Sequence, residues 1–213
     1  MSNPLILKNI ILSKYTTYGA GGSADFFSVP KNNTELAEVL DWALKNGVPF
    51  EIIGGGSNLL ISDKGYRGLI ICMARLNRFI INKGSGVITA GAGLTLRELV
   101  KYTVNKGLSG MEYMAGIPGS LGGAIKMNAG AYCAEIKDTL IKAVVTDRSG
   151  NIREKTPADI DFGYRKSPGL DNHIVLSGEF LFKPALKEEL EEIKTSILEK
   201  RKEKQPLHKP SCG

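Results

Sequence analysis

The chain is poor in the residues that staple or cofactor-load a small fold. Its three cysteines, Cys72, Cys133 and Cys212, are far apart and odd in number, and no C-x-x-C occurs. That pattern argues against a disulfide framework and fits a reducing, cytoplasmic setting. The two histidines, His173 and His208, form no ligand cluster, so no metal site is expected. No apolar run approaches ~18 residues, so no segment is built to span a membrane. The first residues, MSNPLILKNI, have neither the charged start nor the apolar core of a signal peptide. Only nine prolines occur, with no G-X-Y period, which excludes collagen and linker readings. There is no internal repeat of the solenoid kind.

Charge is present but not concentrated. Twenty-eight basic against 22 acidic residues leave a net charge of +6. The densest run, Lys183–Lys209, mixes both signs, so it reads as a solvated helix face rather than a nucleic-acid patch. A mild positive balance also suits a phosphorylated, anionic ligand. With 42% hydrophobic and 23% charged residues, the 213-residue chain is an ordinary globular one. It has length for one large domain or two small ones and can bury a core without staples.

Short strands alternate with a few helices. Leu36, Val39, Leu40, Ala43 and Leu44 share one face of a predicted helix over Thr34–Asn46, and Gly47 suits the position after its end. Predicted strands are Asp25–Val29, Phe50–Ile53, Leu69–Met73, Phe79–Asn82, Val87–Ala90 and Ile174–Phe182. Ile141–Asp147 and Asn151–Lys155 flank a hairpin turn at Arg148-Ser149-Gly150. Thr95-Leu96-Arg97-Glu98 reads as a capping box opening a helix that runs through Lys106 and stops at Gly107. Leu186, Leu190, Ile193 and Ile197 mark an amphipathic helix to about Lys204. The mixture is α+β rather than βαβ repetition. A subdomain boundary is expected near Leu76–Lys83, giving parts 1–78, 79–183 and 184–213.

Glycine is what the chain has in excess: 25 of 213 residues, against an average near ~7%. They gather in three places. Gly19-Ala20-Gly21-Gly22-Ser23-Ala24 formally matches a dinucleotide fingerprint, but no apolar strand precedes it and a strand follows, so the Rossmann reading is rejected. Gly54-Gly55-Gly56-Ser57-Asn58 follows a buried strand and lacks the Walker ending. Three successive glycines let main-chain amides crowd round an anion, so phosphate binding is favoured over a plain turn. The third place is Gly116-Ile117-Pro118-Gly119-Ser120-Leu121-Gly122-Gly123-Ala124, followed by Met127-Asn128-Ala129-Gly130-Ala131-Tyr132. It either opens a helix toward a phosphate or is only a packing surface. Two such segments together suggest one ligand with a pyrophosphate.

These segments, with Thr17-Tyr18 before Gly19 and Phe162-Gly163-Tyr164-Arg165-Lys166-Ser167, resemble the UDP-N-acetylenolpyruvoylglucosamine reductase family in order and approximate spacing. The resemblance runs from about Lys14 to the last residue. It implies a two-subdomain FAD-binding fold of the p-cresol methylhydroxylase type, with non-covalent FAD between the subdomains. It implies cofactor contacts from Gly54, Gly55, Gly56, Ser57, Asn58, Leu59, Gly116, Ile117, Pro118, Gly119, Ser120, Gly122, Gly123, Ala124 and Ile174. NADPH would supply the hydride, and the substrate would be a UDP-sugar enolpyruvyl ether reduced to UDP-N-acetylmuramate for peptidoglycan. The intact protein is expected to be a monomer; composition and charge point to the cytoplasm, without nucleic-acid or membrane partners.

Arg165 matches the family's catalytic arginine in Tyr-Arg-x-Ser. Hydride addition conjugate to a carboxylate builds an enolate-like dianion that a guanidinium can stabilise. Tyr164 and Ser167 are implied substrate neighbours, and Glu135 is left open between a role and simple exposure. The family's proton-donating serine follows the stretch resembling Gln205-Pro206 and Pro210-Ser211-Cys212-Gly213, and this chain ends one position before it. The chain is therefore expected to bind FAD and to be inactive or impaired in turnover. Two other readings stay open: a different flavin oxidoreductase of the same fold, and a catalytically silent FAD-binding module.

Overall fold

A computed structural model describes residues 5–132 and 134–212. Cys133 and Gly213, both named above, lie outside the described residues.

The first part is a four-stranded sheet with one crossing helix. Its elements are β1 (Leu7–Ile11), β2 (Ser23–Ser28), α1 (Asn33–Lys45), β3 (Phe50–Ile53) and β4 (Tyr66–Cys72), with strand order β1-β2-β4-β3. β1 runs antiparallel to β2, while β2, β4 and β3 are parallel. Asn32 starts α1 by accepting the Glu35 N–H through its side chain. Gly47, at φ +61°, carries the chain out of the helix in a left-handed conformation that a Cβ would strain. Leu36, Val39, Leu40 and Ala43 bury the predicted face against Phe50, Leu69 and Ile71. The opposite face of the sheet buries Ala24, Phe27, Ile53, Ile70 and Cys72 with Leu12.

The second part is an antiparallel five-stranded sheet. In chain order come β5 (Ile80–Gly84), β6 (Val87–Gly91), α2 (Leu96–Asn105), the short β7 (Leu108–Ser109), α3 (Leu121–Lys126), and the short pair β8 (Gly130–Ala131) and β9 (Ala134–Glu135). Then follow β10 (Leu140–Asp147), β11 (Ile152–Lys155), α4 (Pro157–Ile160), β12 (His173–Leu181), β13 (Lys183–Pro184) and α5 (Lys187–Lys204). The sheet order is β11-β10-β12-β6-β5. The Thr95–Glu98 capping box forms as expected, each partner satisfying the other's N–H.

Strand alternation in β12 joins the two parts. Val175 points into the core shared with α2, α3 and α5, while Ile174 and Leu176 point into the core around α1. Each such buried Ile or Leu contributes roughly 1.5–3 kcal/mol against exposure, so the second sheet is clamped on both faces. α5 lays Leu190 and Ile197 onto the same core as α2, so this helix packs on the second sheet.

The sequence-based bounds differ by a few residues at most of the elements it named. It did not indicate β1, whose side chains are largely exposed and show no alternation, nor α4, which is only four residues long.

Candidate functional site

The two glycine segments meet. The loop after β3 and the loop before α3 approach so closely that a Cβ on Gly55 would lie 3.1 Å from Gly119 Cα, and one on Gly54 would lie 2.3 Å from Ser120 Oγ. Ser57 Oγ donates to the Pro118 carbonyl at 3.2 Å, and a Cβ on Gly119 would reach Ser57 Oγ at 2.7 Å. Gly56 sits at φ +67° with its open side 1.9 Å from the Tyr15 carbonyl oxygen. No side chain fits there. Its carbonyl in turn accepts from the Thr17 N–H and hydroxyl. The Cys72 thiol donates to the Gly54 carbonyl at 3.8 Å, and burial holds that thiol in its protonated form by raising its pKa. The N–H groups of Gly55, Gly56, Ser57 and Asn58 have no acceptor among the described residues. A row of unspent amides is what an anion requires.

Beside this cradle lies a cavity of about 200 Å³ between the two sheets. It brings together Gly54, Ser120, Gly122, Gly123 and Ile174 from the sequence-based set. It adds residues that sequence reasoning missed, among them Lys126, Arg148, Asp171 and His173. Lys126 at the end of α3 is ion-paired to Asp171 at 2.8 Å. Arg148, from the β10–β11 turn, stacks its guanidinium 4.0 Å from the Phe50 ring centroid and donates to the Phe50 carbonyl. That cation–π contact fastens the second part to β3, the strand that delivers the glycine loop. His173 Nδ1 is buried without a partner among the described residues. Burial, and then the charge of Lys155, push the His173 pKa down, so the imidazole is neutral at pH 7.

Other residues of that set lie elsewhere. Gly116 is turned away from the cradle, its open side occupied by Arg201 and Leu198 of α5. Ala124 and Ile117 belong to the core of the second sheet, and Leu59 packs under the first. Pro118 acts through its carbonyl, and Asn58 is exposed at the loop tip. Ser167 is buried and donates its hydroxyl to the Lys126 carbonyl, so its side chain anchors the end of α3. Tyr164 is 79% exposed and its ring lies 5.1 Å from the Arg165 guanidinium.

Arg165 stands past the other end of α3, on a tight turn closed by the Gly163–Lys166 bridge, with φ +55°. Its guanidinium donates to the carbonyls of Gly130 at 2.7 Å and Asn128 at 3.4 Å. Glu135 is near but engaged elsewhere: it pairs with Lys137 at 2.8 Å and accepts from Asn128 Nδ2 at 3.0 Å. The Lys137 hydrogen bond, helped by Asn128 and by the charges of Lys137 and Arg165, holds the Glu135 carboxyl below its ordinary pKa. No ion pair of Arg165 occurs among the described residues. The guanidinium thus has both an open charge and spare donors. Sequence spacing alone gave no reason to join Asn128, Glu135 and Arg165, which lie on three separate segments.

Residues 24–155 match the FAD binding domain family. The reductase named UDP-N-acetylenolpyruvoylglucosamine reductase in Streptococcus mutans is 41% identical over 203 residues, covering 95% of this chain and 66% of the relative. Its namesake in Agathobacter rectalis is 38% identical, covering 98% and 70%. The solved structure of the Thermus caldophilus enzyme (MurB) superposes with a TM-score of 0.81 at 34% identity, covering 96% of this chain and 71% of that one. The chain belongs to the UDP-N-acetylenolpyruvoylglucosamine reductase family.

It spans about two thirds of the length of these relatives. Glucooligosaccharide oxidase of Acremonium strictum shares the fold alone, with a TM-score of 0.61 at 20% identity over 76% of this chain. The family's FAD fits the residues present: unspent amides for a pyrophosphate, glycines where a side chain would collide, and an adjoining cavity. Among the described residues no group of metal-ligating side chains occurs, and no helix is long and apolar enough to cross a membrane.

Proposed function

We propose that this chain supplies the FAD-holding and carboxylate-binding parts of an NADPH-dependent UDP-N-acetylenolpyruvoylglucosamine reductase, acting in the cytoplasm on a UDP-sugar enolpyruvyl ether. The chemistry an FAD held there would supply, once reduced by NADPH, is hydride for the vinyl carbon of the substrate. The chain's own residues do the rest of what can be assigned here. The amides of Gly55, Gly56, Ser57 and Asn58 would hold the pyrophosphate without a lysine, because unspent N–H dipoles supply partial positive charge. Ser57, tied to the Pro118 carbonyl, holds the two loops at a fixed separation. At the cavity wall Asp171 balances Lys126, and Arg148 is held over the Phe50 ring.

At the far end of α3 the Arg165 guanidinium receives the substrate carboxylate. As hydride adds, negative charge spreads onto that carboxylate, and a guanidinium already fixed by two carbonyls stabilises it without having to reorganise. The observation that carries the reading is this open cation, held by main-chain acceptors and excluded from pairing with Glu135. Protonation of the neighbouring carbon is assigned to no residue of this chain. The test is spectroscopic. The purified chain should carry flavin that acid releases, and the enolpyruvyl substrate should perturb the flavin spectrum. A colourless protein that takes up no added FAD would sink the cofactor reading, and flavin that survived acid would point to a covalent oxidase.

A further inference from the structure

Asn128 is fully buried and holds φ +40°, a left-handed conformation that asparagine adopts more readily than most residues with a side chain. Every polar atom of its side chain is spent. Nδ2 donates to Glu135 Oε2 at 3.0 Å and to the Gly163 carbonyl at 3.1 Å, while Oδ1 accepts the Lys137 N–H at 3.1 Å. Its main chain is spent as well: the N–H donates to Ile125 in α3, and the carbonyl accepts from Arg165. One residue therefore ties together the end of α3 through its main chain, and the β8–β9 hairpin and the turn that carries Arg165 through its side chain.

The consequence is electrostatic. Glu135 is the carboxylate whose charge Arg165 already feels. Released from Asn128 and Lys137, it would meet a guanidinium with donors to spare, and a bidentate pair is the favoured outcome for those two groups. We propose that Asn128 is a positioning residue that keeps Glu135 tied back to Lys137 and so leaves the Arg165 guanidinium open for the carboxylate of the ligand. This rests on the reading of Arg165 given above. Only an amide suits the place. Aspartate has the same shape but offers no donor to Glu135 or to the Gly163 carbonyl, and leucine would bury three unpaired partners.

The test uses the chain loaded with FAD and titrated with UDP-N-acetylglucosamine enolpyruvate, followed by the change in flavin absorbance. Four proteins are compared: the unaltered chain, Arg165→Met, Asn128→Asp, and Asn128→Asp combined with Glu135→Gln. The double variant reverses the hydrogen bond, since the new amide can donate to the new carboxylate. FAD affinity should stay within about twofold in all four. Arg165→Met and Asn128→Asp should each weaken binding of the enolpyruvyl compound by about tenfold or more, and the double variant should recover most of the Asn128→Asp loss. If Arg165→Met binds like the unaltered chain, or the unaltered chain gives no response, the reading of Arg165 falls and the proposal falls with it. If Arg165→Met loses binding while Asn128→Asp keeps it, Arg165 stands and the positioning role is overturned. Loss of FAD or of cooperative unfolding in Asn128→Asp, or no recovery in the double variant, reduces Asn128 to a structural residue and also overturns the proposal.

Discussion

The two ends of α3 bind charge by opposite means. At its start, Ser120 meets a cradle made almost entirely of main chain, where glycines let amides gather and let two loops touch. Beyond its end, the Arg165 site is made of side chains drawn from three segments: Asn128 holds Glu135, and main-chain carbonyls hold Arg165. A main-chain site tolerates little added volume and carries little net charge. A side-chain site tolerates changes in volume but depends on which partner each charge finds. The two therefore fail differently when altered.

The largest effect is expected at the cradle. Gly56→Ala forces a Cβ onto the Tyr15 carbonyl at a left-handed φ, at a cost of about 3 kcal/mol from strain and overpacking together. Denaturant unfolding should show that loss, and flavin content per chain should fall with it. Unchanged flavin content would mean that the loop does not hold the cofactor. Arg165→Met should do the reverse. Flavin content should hold and stability should fall only by about 1 kcal/mol as the Gly130 and Asn128 carbonyls lose their donor, while the affinity for the substrate carboxylate drops about 10- to 100-fold, the worth of roughly 1.5–3 kcal/mol of charge-assisted hydrogen bonding. A variant that lost flavin and substrate together would erase the distinction between the two ends.

Arg148→Met sharpens the comparison at the smaller scale of about 1 kcal/mol. It removes the cation over Phe50 and the bond to the Phe50 carbonyl but keeps most of the packing volume. Calorimetry should show a slightly lower Tm and, because the contact lies beside the cavity, weaker FAD binding rather than weaker substrate binding. Acid should address the two ends in sequence. His173 has a native pKa depressed below 6.5, so the unfolded chain takes up its proton first and stability begins to fall as pH drops below about 6.5. Glu135 has a native pKa depressed below 4.5, so its contribution is full above that value and is lost only as pH falls through the lower native one. Glu98 and Glu179 share this second stage. Denaturant titrations at several pH values should show His173→Gln flattening the first stage alone and Glu135→Gln reducing the second.

Much of the fold was legible because short-range signals were strong. The spacing of Leu36, Val39, Leu40 and Ala43, the Thr95–Glu98 box and the glycines at 47 and 107 each specify a local geometry, and α1 and α2 formed where those signals lay. The run Phe50–Ile53 followed by three glycines also matched a strand and its loop. The cradle was readable for the same reason: a glycine excess is visible residue by residue. Gly116 shows the limit of that reasoning. It lies in the glycine-rich run, yet its missing side chain makes room for Arg201 and Leu198, nearly the whole second half of the chain away. The role of His173 in the cavity wall, and the tie from Asn128 to Glu135, had no sequence signal at all.

What the sequence determined by itself was a set of elements and a chemical capacity: strands, capped helices, and backbone able to gather amides around an anion. Local propensity and the absence of a Cβ are properties of single residues, so a sequence can state them. Tertiary structure decided which glycines face a ligand and which face a helix, and whether Glu135 neutralises Lys137 or Arg165. Those are choices of partner, made by the packing of β12 between two cores and by one buried asparagine, and charge acts only on the partner that packing brings near.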